Sequence, residues 1–88
     1  MFFRVSEEDQ KLIDAICVSV NTIHTVSSED VRDYRHALER RPLYRFFVLT
    51  AVRRELASAG ISAIDWEGIG NFFVKIAPIL LEILKMFL

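Results

Sequence analysis

The closing stretch, Ile61 to Leu88 (ISAIDWEGIGNFFVKIAPILLEILKMFL), constrains the fold more than any other part of the chain. Wound as a helix, it gathers Glu67, Asn71, Lys75, Pro78, Glu82 and Lys85 within about 80° of arc and leaves the rest of the cylinder almost wholly apolar. Fourteen of the last twenty residues are Ala, Val, Ile, Leu, Met or Phe. One neighbouring helix cannot cover such a surface, so the element demands burial on several sides. The chain has 88 residues, enough for one domain whose core hides only roughly 60 to 65% of the surface the unfolded form exposes. The sequence therefore predicts a single helical domain over 1–88, with a last helix too apolar for three short companions to shield.

Those companions are marked by their ends. Ser6 stands before Glu7, Glu8 and Asp9, a hydroxyl cap followed by acids on the positive end of the helix dipole. The apolar spacing of Leu12, Ile13, Ile16, Cys17, Val20 and Ile23 then carries the first helix over 6–25, with Phe2 and Phe3 ahead of it in an apolar arm over 1–5. Ser27 or Ser28 caps a second helix over 28–40, whose apolar stripe is thin: Val31, Tyr34 and Leu38. Arg41-Pro42 interrupts it, because the residue before proline is pushed out of the α region while proline suits the first position of a new helix. The third helix spans 42–59 and stops at Gly60. It carries one apolar sector of Tyr44, Val48, Leu49, Val52 and Leu56 and a second of Leu43, Phe46 and Phe47, which places it between two neighbours. Ser62 or Asp65 caps the fourth helix over 65–87, expected to be central and kinked near Pro78. The expected fold is all-α, a compact bundle of about four helices.

Catalysis is not encoded in any recognisable pattern. Cys17 and His24 are two helical turns apart, about 10 Å of rise, too far for a nucleophile and its base. His24 and His36 have no histidine or cysteine three or four residues away, so metal-ligand spacing is lacking. There is no glycine-rich phosphate loop, GxSxG or HExxH. A non-enzyme is expected, with no cofactor, metal or small-molecule substrate. The single cysteine permits no internal disulfide, and MFFRVSEEDQ turns acidic before an apolar signal region develops. In the closing stretch Lys75, Glu82 and Lys85 break up any uncharged run long enough to span a bilayer. These features point to a cytoplasmic location or an intracellular assembly.

Net charge is −1, but its distribution is uneven. Between Val31 and Arg54 lie Arg32, Arg35, Arg40, Arg41, Arg45, Arg53 and Arg54 against Asp33 and Glu39, and no lysine. Guanidinium groups favour planar, bidentate contact with carboxylate or phosphate. Arg32, Arg35, Arg40, Arg41 and Arg45 are the expected contacts to an acidic partner or a phosphate. Nucleic acid is one such partner, although on a single helix Arg45 and Arg54 point nearly opposite ways.

The closing helix supplies the second expected surface. Ile69, Ile76 and Ile83 recur every seven residues beside Phe72, Ile79 and Met86. With Trp66, Phe73, Leu80 and Phe87 they form the face expected to mediate self-association. The run FFVKIAPILLEILKMFL also resembles short membrane-active amphipathic peptides in composition and periodicity, which would imply a membrane-surface or pore-forming protein. Its equal numbers of Glu and Lys, and a tryptophan only at its start, argue for protein rather than lipid. The sequence reading is thus a small assembly protein that associates with itself and with another protein.

Overall fold

The computed structural model describes residues 4–88. Phe2 and Phe3 of the expected apolar arm lie outside the described residues; Val5, its last member, is half-buried against the core. The described chain is helical, with five α-helices and no strand: α1 (Glu7–Val20), α2 (Ser28–Arg40), α3 (Pro42–Ser58), α4 (Trp66–Lys75) and α5 (Ala77–Met86). Its smallest dimension is 19 Å, room for two layers of helix at roughly 10 Å each.

Local chemistry sets most helix ends. Ser6 Oγ accepts from the Asp9 amide at 3.1 Å and Ser27 Oγ from the Asp30 amide at 3.0 Å, with acids in both first turns. Asp65 Oδ1 does the same for the Gly68 amide at 3.0 Å. Pro42 opens α3 at a position where its missing N–H deprives no carbonyl. Beyond Ser58, Gly60 adopts φ 71°. Its amide donates to the Ala57 carbonyl and that of Ile61 to the Leu56 carbonyl, so two orphan carbonyls are satisfied in the way a left-handed glycine allows.

Two boundaries differ from expectation. The first helix ends at Val20 rather than 25, because Asn21 to Thr25 is a polar, β-branched run that holds a helix poorly. Thr22 settles the matter by donating both its amide and its hydroxyl to the Ser19 carbonyl, at 3.1 and 2.6 Å. The chain then tightens into turns, and Ile23 reaches the core from a turn instead of a helix. The second difference is larger. In place of one kinked helix over 65–87 there are two, separated at Ile76 (φ −102°, ψ 17°). Pro78 has no amide to give the Val74 carbonyl, and its ring crowds that carbonyl. Breaking at Ile76 puts Pro78 in the first turn of α5, where neither fault arises, and the Ile79 and Leu80 amides both donate to the Ile76 carbonyl.

The break alters the packing. α1 lies against α2, α4 and α5, and α5 against α1, α3 and α4. Half of the closing stretch, α5, is therefore central as expected, while α4 lies to one side against α1 and α5. Each half turns its own apolar stripe inward, a freedom that one continuous rod lacks. The core draws on all five helices: Leu12, Ile13 and Ile16 from α1, Leu38 from α2, Val48, Leu49 and Val52 from α3, Ile69 and Phe73 from α4, Leu80 and Leu84 from α5.

Candidate docking surface

The seven arginines of the middle stretch have separate fates. Arg35 Nη1 donates to Asp14 Oδ1 at 2.6 Å and lies 3.7 Å from Glu39, tying α2 to α1. That hydrogen bond holds the Asp14 carboxyl below its ordinary range. Arg53 reaches from α3 to Glu8 and Asp9 in the first turn of α1. Arg45 is buried, at 8% exposure, and its Nη1 donates to the Leu38 and Glu39 carbonyls at 2.9 and 3.2 Å. It closes the C-terminal end of α2, where unpaired carbonyls carry partial negative charge. Arg35 and Arg45, both expected to meet a partner, are thus occupied within the chain. Arg32 is exposed near the start of α2, about 12 Å along the helix from Arg40. The five expected contacts do not form one cluster. Arg40 and Arg41 stay together at the α2–α3 junction, both exposed, with the Arg41 guanidinium 5.5 Å from the centre of the Tyr44 ring.

The expected self-association face is also divided. Ile69, Phe73, Leu80 and Ile83 are enclosed by the chain's own helices and cannot meet a second molecule in the folded state. The other helices and the break at Ile76 cover these four within the single chain, while Val74, Ile79, Met86 and Leu88 of the same stretch stay exposed. Trp66, Phe72, Ile76 and Phe87 are half-buried against the same core, Trp66 beneath the Lys11 ammonium at 5.5 Å. Of the ten, Ile79 and Met86 are exposed.

Exposed large apolar side chains also include Val18, Ile64, Val74 and Leu88, and the ones that stand together at helical spacing on a single element are on α3. Leu43 is 72% exposed, Phe46 62% and Phe47 47%, at helical spacing i, i+3, i+4, so they form one row. Phe46 meets Phe47 edge-to-face with ring centres 5.6 Å apart, and Phe47 stacks on Phe87 at 5.6 Å and 17°. The arrangement is fixed from beneath: the buried Tyr44 hydroxyl donates to the Leu84 carbonyl at 2.8 Å, one turn before the Phe47–Phe87 stack on each helix. Burial pushes the Tyr44 hydroxyl pKa up to about 12, so the donor is protonated at any physiological pH. Beside Leu43 lies a shallow, open cleft of about 510 Å³ lined by Arg40, Arg41, Pro42, Leu43 and Tyr44. At roughly 200 Å² per aromatic side chain, the exposed parts of Leu43, Phe46 and Phe47 amount to about 350 Å², within the range of functional surface patches.

Sequence reasoning placed Leu43, Phe46 and Phe47 against a second neighbour. α3 does have two neighbours, α2 and α5, and its fully buried residues are those of the Tyr44–Leu56 sector. The signal for the exposed row was present: the thin stripe of α2, three residues wide, leaves little to cover a second face of α3.

Cys17 is buried in the core, and the apolar surroundings push its thiol from 9.0 up to about 11. His24 stands exposed in the turn after α1 and His36 on the outer side of α2. Among the described residues no group of three or more His, Cys, Asp or Glu converges as metal ligands would. A disulfide-exchange reagent is expected to label Cys17 far more slowly in the native protein at pH 8 than in the urea-unfolded chain, since the thiolate is scarce and shielded. Equal rates would show that the α1–α2 side opens readily. Because the folded pKa is raised, the neutral thiol's contribution to stability is present below pH 9 and is lost as pH rises through about 11.

No helix among the described residues is long and apolar enough to cross a membrane. Comparison of the chain with protein-family models, with curated proteins and with solved structures finds no match.

Proposed function

We propose that this chain is a non-enzymatic interaction protein that associates with other protein chains, its own copies included, through the α3–α5 edge formed by Leu43, Phe46, Phe47 and Phe87. One observation carries the reading: three large apolar side chains stand in a row on α3, each between 47% and 72% exposed, beside a ring stack next to the Tyr44–Leu84 hydrogen bond. Exposed apolar side chains scattered singly are ordinary, whereas a fixed contiguous row flanked by polar residues is typical of contact surfaces. The contact is of the transient class. Its apolar area is less than half of the roughly 800 Å² per partner that a standard stable interface covers.

Light scattering over a range of concentrations tests this. The wild type is expected to rise above its monomer mass of 10.2 kDa as concentration increases, and Phe46→Ser/Phe47→Ser to remain at 10.2 kDa throughout. Melting temperature should barely change, because both rings are mainly solvent-facing. A wild type fixed at the monomer mass, or a double variant that associates as the wild type does, overturns the reading.

A further inference from the structure

We infer that the preferred occupant of this edge is an acidic amphipathic helix of a partner protein, with its apolar anchors on Leu43, Phe46 and Phe47 and its carboxylates on Arg40 and Arg41; the inference rests on the edge being a docking surface. Charge is the first argument. Arg35 and Arg53 are matched to carboxylates of their own chain and Arg45 to carbonyls, whereas Arg40 and Arg41 have no carboxylate within 4.0 Å among the described residues. Two adjacent guanidinium groups, one held over a tyrosine ring, present a fork-shaped donor set suited to side-chain carboxylates.

Shape is the second argument. The basic pair lies at one end of a row with helical spacing, which is the complement of a helix bearing anchors at i, i+3 or i+4 and i+7. The cleft beside Leu43 is shallow and open, a seat for a side chain laid against it. Lipid is less well matched, since membrane-surface proteins insert convex wedges and two arginines supply only a weak attraction to an anionic leaflet. Nucleic acid is less well matched again, because Arg35, Arg45 and Arg53 are engaged within the chain and exposed Arg32 lies about 12 Å along α2 from Arg40, so no continuous basic track follows a phosphate backbone. Area agrees with a helix: about 350 Å² of apolar surface is suited to one peptide face rather than to an obligate subunit interface.

The test uses the full chain, a fluorescent synthetic helix with Leu at i, i+3 and i+7 and Glu between, and the same helix with Lys for Glu. Anisotropy is expected to show saturable binding of the acidic helix, at least about tenfold weaker binding of the basic one, and about a tenfold loss in Arg40→Glu/Arg41→Glu. Phe46→Ser/Phe47→Ser should abolish binding, with circular dichroism confirming that both variants stay helical. Equal binding of the two helices, no binding of either, or an unaffected arginine variant overturns the inference. Co-sedimentation with phosphatidylserine vesicles in the absence of peptide binding overturns it in favour of lipid. If the acidic helix fails while the aromatic variant still abolishes concentration-dependent mass, the inference falls and the docking edge stands. If the aromatic variant keeps its mass dependence, the edge itself is wrong.

Discussion

Phe73→Ala is expected to lower the unfolding free energy by about 3 to 5 kcal/mol, the largest effect of any single truncation in α4. Phe73 is 0% exposed and is among the largest fully buried side chains. Its removal forfeits the transfer free energy of the ring and leaves a cavity between α4 and the rest of the core, which close-packed neighbours fill only in part. An 88-residue chain has roughly 5 to 12 kcal/mol in total, so the loss takes away a large share and lowers the melting temperature by about 15 to 30 °C. Phe72, one residue earlier and half-buried, serves as the control, and Phe72→Ala is expected to cost about 1 kcal/mol. Urea denaturation at two protein concentrations distinguishes core from interface. A core residue gives a midpoint shift independent of concentration, while an intermolecular contact gives one that depends on it. Equal costs at 72 and 73, or a strong concentration dependence for Phe73→Ala, would show that α4 buries its stripe against another molecule.

That contrast also shows where the sequence was informative. The cap at Ser6, the choices of Ser27 or Ser28 and of Ser62 or Asp65, which the structure resolves to Ser27 and Asp65, and the stop at Gly60 were legible because a cap is a contact between residues about three positions apart. The inward sector of α3 was legible because periodicity on one helix is also local. Pro78 announced a disturbance but not its place, since the backbone chose among several ways to relieve one clash and the cheapest lay two residues earlier. The arginines were the hardest to read. Arg35 finds Asp14 across 21 positions and Arg53 finds Glu8 across 45, and nothing in a local stretch of charge says which guanidinium will meet a carboxylate of its own chain. The same non-locality left the exposed row on α3 with a single hint, the thin apolar stripe of α2. Sequence gives the number of apolar sectors on a helix, but the number of neighbours available to cover them is decided by the topology of the whole bundle.

Arg45→Met is the second large effect expected, about 2 to 3 kcal/mol of destabilisation with affinity for a docked partner unchanged in the remaining folded protein. Methionine keeps much of the side chain's apolar length, so the packing of the stem against the α2–α3 corner survives and the loss isolates the guanidinium. What disappears is a pair of charge-assisted hydrogen bonds to the Leu38 and Glu39 carbonyls, together with a positive charge at the negative end of α2. The helix cannot repair this end by continuing, because Arg41 is extended at φ −112°, ψ 99° ahead of Pro42. Arg45→Lys is expected to recover part of the stability, since an ammonium keeps the charge and its donors but is more strongly hydrated than a guanidinium and costs more to bury. Arg40→Met supplies the opposite pattern: an exposed side chain with little effect on stability and, on the docking reading, a clear effect on binding an acidic helix. Denaturation and anisotropy on the three variants therefore separate the arginine that holds the bundle together from the one offered outward. A stable Arg45→Met protein with weakened acidic-helix binding would reverse that assignment and return Arg45 to the contact surface.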